Sequence, residues 1–102
     1  MQPSALQRQT REDRGLVLDM LNSVYPASLP ERAILDSMLD LPRPVHGHNV
    51  RRDLGYLEDS QLIARTFDTN PFTKAKEVRW SLTSRGVSFV EAGKPWERIE
   101  QF

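Results

Sequence analysis

The hydrophobic period of this chain changes from helical to alternating and back, and the order of those changes restricts the fold more than any single motif. Val17, Met20, Leu21 and Val24 fall at i, i+3, i+4 and i+7, one face of a 3.6-residue period. Ile34, Met38 and Leu41, with Leu35 alongside, repeat the pattern, and Val50, Leu54 and Leu57 repeat it again. From Leu62 the spacing becomes two. Ile63, Arg65 and Phe67 alternate with Leu62, Ala64 and Thr66, and later Val78, Trp80 and Leu82 alternate with Glu77, Arg79 and Ser81. After Thr83 the helical pattern returns. The sequence therefore predicts an α+β order of three helices, a two-stranded hairpin with one buried side, and a fourth helix.

Capping residues and prolines set the expected boundaries. Residues 1–9, MQPSALQRQ, lack a period and read as a loose arm. Thr10 is placed to cap helix 1, with Glu12 and Asp13 in the first turn, where the helix dipole favours negative charge. Pro26 disfavours a helical Tyr25 and closes this element. Ser28 and Glu31 have the spacing of a capping box for helix 2, and Pro42 and Pro44 stop it. His46 stands at the N-cap of helix 3, with Val45 and Val50 as a hydrophobic staple. Asn70-Pro71 supplies turn chemistry at the hairpin tip. Thr83 caps a helix running from Ser84 to about Ala92, in which Gly86 permits a close backbone approach. Residues 10–93 thus form one domain, and 94–102 form a tail. In that tail Trp96, Ile99 and Phe102 recur every third residue, a spacing suited to docking on the body or on another subunit.

Several kinds of function are disfavoured. A chain of 102 residues supports one modest core. It contains no cysteine, which removes disulfides, thiolate metal sites and a cysteine nucleophile. The apolar runs are short and the N-terminus lacks a signal-peptide core, so a cytoplasmic protein without a membrane span is expected. His46 and His48 are two apart, which on a helix directs them to different faces, and no carboxylate stands at metal-ligand spacing. Ser28, Ser37, Ser60, Ser84 and Ser88 have no paired base nearby in sequence. A Gly-rich phosphate loop is also lacking. Neither an enzyme, a metal nor a cofactor is expected.

Fourteen basic side chains balance fourteen acidic ones, yet residues 43–85 hold eight basic against five acidic. Helix 3 carries part of that excess: opposite its Val50, Leu54 and Leu57 stripe lie His48, Arg52 and Gly55, with Asn49, Arg51 and Tyr56 on the flanks.

The order of elements, with the stretch LEDSQLIAR…VRWSLTSRGVSFVEAG, resembles the winged helix-turn-helix superfamily over about residues 11–93. More narrowly, VRRDLGYLEDSQLI and LTSRG look like a family of small proteins encoded by Mu-like phages and prophages. One departure is Gln61, which stands where many winged-helix chains have a left-handed glycine, so a differently shaped turn is expected there. The resemblance implies a transcriptional regulator that places helix 3 in the major groove of double-stranded DNA and the wing on the adjacent backbone or minor groove. His48, Asn49, Arg51, Arg52 and Tyr56 would then face the bases, while Lys74, Lys76 and Arg79 neutralise phosphates. It also implies a homodimer, with helix 1 and the tail residues Trp96, Ile99 and Phe102 as contact surfaces. The rival reading is a protein-protein module in which Tyr56, Phe72 or the tail meets a protein partner.

Overall fold

The computed structural model describes residues 5–93. Their order is α1 (Ala5–Val24), β1 (Ser28–Pro30), α2 (Glu31–Leu39), α3 (Gly47–Asp59), β2 (Ile63–Thr69), β3 (Lys76–Leu82) and α4 (Ser84–Glu91). The strands form one antiparallel sheet in the order β1-β3-β2. The expected α+β class and the order of the four helices and two long strands are present. Three features differ from the sequence expectation: two concern the elements, and the third is the turn after α3.

The first is the start of α1, which begins at Ala5 and not after Thr10, so residues 5–9 are helical rather than a loose arm. Asp13 is consequently no first-turn residue. It is buried within the helix and accepts a hydrogen bond from Arg43 Nη2.

The second is β1, absent from the expected order. Ser28 and Glu31 do not cap α2; its N-cap is Pro30, without a side-chain bond. The Ser28 hydroxyl accepts from Arg79 Nε at 2.8 Å, and the Ser28 carbonyl accepts from Arg79 Nη2 at 3.0 Å. Glu31 Oε1 accepts from Trp80 Nε1 at 3.2 Å. Both capping-box residues are thus engaged by β3, and the segment between them pairs in the register Ser28–Ser81, Leu29–Trp80 and Pro30–Arg79.

The core lies where the helices cover the base of the sheet. Val17, Leu18 and Leu21 of α1 meet Ile34 and Met38 of α2, Val50, Leu54 and Leu57 of α3, Leu62, Ile63, Trp80 and Leu82 of the hairpin base, and Phe89 of α4. Each buried aliphatic or aromatic side chain of this size contributes roughly 1.5–3 kcal/mol. Only the proximal half of the hairpin shares in this burial. Ile63 opposes Leu82 at the buried end, whereas Phe67, opposite the half-buried Val78, remains 65% exposed.

The turn from α3 into β2 keeps the left-handed shape despite lacking glycine. Gln61 has φ 64°. Its N–H donates to Glu58 O at 2.9 Å, and Leu62 N–H donates to Leu57 O at 3.1 Å, the two bonds of a Schellman motif, with buried Leu57 and Leu62 as its apolar pair. The expectation of a different turn is therefore corrected: the backbone bonds hold a conformation that glycine would adopt without strain.

Thr83 fastens that turn to α4. Its hydroxyl lies 2.8 Å from Gln61 O and 3.0 Å from Leu62 O, and accepts from Gly86 N at 2.9 Å. A Cβ at Gly86 would come within 2.2 Å of the Leu62 carbonyl oxygen. The LTSRG stretch is thus a structural clasp, with Thr83 as cap and tie and Gly86 as the point of close packing.

Candidate functional site

Helix α3 is held by its apolar stripe, and its polar residues divide between two flanks. Asp53 and Tyr56 turn toward α1. There Arg14 Nε donates to Asp53 Oδ1 at 3.1 Å, and the Arg14 guanidinium stacks 3.7 Å above the Tyr56 ring. Asp53 is only 3% exposed, and burial pushes its carboxyl pKa up, partly offset by Arg14 and Arg52. Asn49, one turn before Asp53, is half-buried on this flank.

The other flank turns toward the hairpin. Arg51 Nε lies 3.9 Å from Glu31 Oε2, the carboxylate whose other oxygen receives Trp80. One turn beyond Gly55, Glu58 accepts from Arg65 Nε at 3.1 Å and Nη2 at 2.6 Å, and these bonds hold the Glu58 carboxyl below its ordinary range. Arg65 also lies 5.3 Å from the centroid of Trp80, its cross-strand neighbour. Between the flanks, His48 and Arg52 form an exposed outer ridge.

His46 sits outside the helix with extended backbone angles, φ −107° and ψ 136°. Its ring stacks on His48 with centroids 5.6 Å apart. The expectation that the two rings diverge fails because only His48 is helical. Among the described residues, no group of three or more His, Asp or Glu side chains could hold a metal ion.

The hairpin tip is closely tied. Asn70 Oδ1 accepts from Phe72 N at 2.8 Å and Thr73 N at 3.1 Å. Lys74 N donates to Asn70 O at 2.8 Å, Asn70 N to Ala75 O at 2.9 Å, and Ala75 N to Thr73 Oγ1 at 3.3 Å. Lys74 is left-handed, with φ 62°. This loop leaves Phe72 92% exposed, and Lys74 and Lys76 are exposed beside it.

The structure thus separates the residues singled out from sequence. Arg51 joins the hairpin through Glu31, and an open cleft lined by Glu31, Arg32, Asn70, Thr73 and Lys76 continues that surface to the tip. Tyr56 lies under Arg14. Arg79 is bonded within the sheet to Ser28 and lies 3.6 Å from Glu77. Trp96, Ile99 and Phe102 lie outside the described residues. Sequence reasoning missed Arg32, which reaches the cleft because β1 anchors the start of α2 beside β3; no local period announces that pairing. It also missed Arg14 and Arg65, whose partners are 39 and 7 residues away.

No family model matches the sequence, and no curated protein matches it significantly. No helix among the described residues is long and apolar enough to cross a membrane.

Proposed function

We propose that this domain is a winged helix-turn-helix that binds duplex DNA, with α3 as the helix that enters the major groove and the β2–β3 hairpin as the wing. The observation that carries this reading is the continuous surface around Glu31. Arg51 of α3 borders it on one side, and Arg32 and Lys76, with Glu77 beside them, line the cleft on the other. His48 and Arg52 extend that surface along the outer ridge, and Lys74 extends it to the tip. The Arg51–Glu31 contact is long and exposed, and such pairs contribute little. A phosphate or a guanine edge can replace it without disturbing the core. The narrower assignment, a phage or prophage regulator, rests only on the likeness of VRRDLGYLEDSQLI and LTSRG.

Within this reading the sequence-derived roles narrow. Arg51, Arg52 and His48 are the side chains that meet bases or phosphates, with Asn49 at the margin. Lys74 and Lys76 meet the backbone. Tyr56 and Arg79 act by holding α3 and the sheet.

Fluorescence anisotropy of mixed-sequence duplexes across a salt series tests the proposal. DNA affinity is expected at low salt and should fall by about 0.9 log unit per log unit of salt for each phosphate contact. An absence of binding at low salt sinks the reading. It would favour the protein-interaction module, for which exposed Phe67 and Phe72 are the supporting observation.

A further inference from the structure

A phenylalanine at 92% exposure is unusual on a small domain, because the ring gains nothing from folding there. The loop that carries it is built with care. Pro71 restricts the backbone just before it, Asn70 Oδ1 receives its own N–H and that of Thr73, and Asn70 bonds across the turn to Lys74 and Ala75. These bonds fix the turn on which the Phe72 ring stands exposed. Two residues after Phe72 comes Lys74, then Lys76, and the adjoining cleft adds Arg32 together with Glu31 and Glu77. An apolar ring flanked by cations suits a partner that presents negative charge around a flat apolar surface, as a base-pair step does between its phosphates.

We propose that Phe72 is a wedge that enters the minor groove beside the site met by α3, partly inserts at one base step and opens it. The inference rests on the DNA-binding reading above and adds to it a specific act by the hairpin tip. Apolar wedges of this kind unstack a step and bend the duplex toward the major groove. The step that yields most readily is a flexible pyrimidine–purine step, so the wedge supplies sequence preference without a hydrogen bond to any base. Lys74 and Lys76 hold the two flanking phosphates, and the hydrogen-bonded turn keeps the ring from yielding when it meets the stack.

The test uses the full chain and its Phe72→Ala and Phe72→Tyr variants with mixed-sequence duplexes carrying 2-aminopurine at successive positions, including TA steps. Because the ring is almost wholly exposed, neither substitution touches the core. The wild type is expected to raise 2-aminopurine emission at one step. Phe72→Ala should lose that rise and bind roughly tenfold or more weakly, within the range that aromatic–base contacts contribute. Its salt slope should stay unchanged, since no charge has been removed. Phe72→Tyr should retain both the rise and most of the affinity. If Phe72→Ala binds as tightly as the wild type and leaves the emission change intact, the wedge is overturned while DNA binding stands. If neither protein binds, the wedge falls together with the reading beneath it.

Discussion

On the flank of α3 that faces α1, Arg14 lies between a buried carboxylate and a tyrosine ring; on the flank that faces the hairpin, Arg51 reaches out from the surface toward Glu31 at 3.9 Å. The two arginines are the same side chain in different solvents. Arg14 and Asp53 are 17% and 4% exposed at their side chains, so in this poorly hydrated seam each gives the other the opposite charge and hydrogen bond that water supplies at a surface. Arg51 is 62% exposed and keeps its hydration whether or not Glu31 is near. Charge counted along the sequence cannot distinguish them. Burial and partnering do, and they divide the cations of this domain into those that hold the fold and those available to a ligand.

The division can be broken most severely at Arg14. Replacing it by Ala leaves Asp53 buried without its main partner and uncovers Tyr56, so a loss of about 3 kcal/mol in unfolding free energy is expected in urea melts. A loss as small as that of a surface substitution would erase the distinction between the flanks.

A smaller effect comes from pH. Burial raises the Asp53 carboxyl above its ordinary value of 3.8, so the native state holds this proton more tightly than the unfolded chain does. The resulting stabilisation is fully present below 3.8 and is lost as pH rises through the native value. Glu58 works in the opposite sense: Arg65 lowers its carboxyl, so its contribution is present above 4.5 and is lost as pH falls through the native value. Unfolding free energies measured from about pH 4 to about pH 7 should therefore decline more, or rise less, in the wild type than in Asp53→Asn. Parallel curves would show that Asp53 is not held in a desolvated seam.

What the sequence revealed was local. The apolar stripe Val50, Leu54, Leu57 and the alternation of Val78, Trp80 and Leu82 need only their own neighbours to be read. Thr83 and Gly86 were legible for the same reason, since a cap and its helix lie within one turn. The Ser28–Glu31 spacing misled because its two side chains find better partners in Arg79 and Trp80, 51 and 49 residues away. Gln61 misled in another way: the Schellman bonds are made by backbone groups, which any residue supplies, so the missing glycine altered the strain and not the shape. The candidate site was half legible. The period of α3 located its outer ridge, but only the packing of α1 could show that Tyr56 lies under Arg14, and only β1 brings Arg32 to the hairpin.

The most direct test of the account is the double variant Arg51→Ala, Arg52→Ala, measured at once for duplex binding by anisotropy and for stability by urea melt. Both side chains are exposed on α3, outside its buried stripe. Stability should change by no more than about 0.5 kcal/mol, while DNA affinity at low salt should be abolished. Undiminished binding by a folded double variant would contradict the assignment of α3 as the DNA-reading helix, and unfolding of that variant would contradict the division between the two flanks.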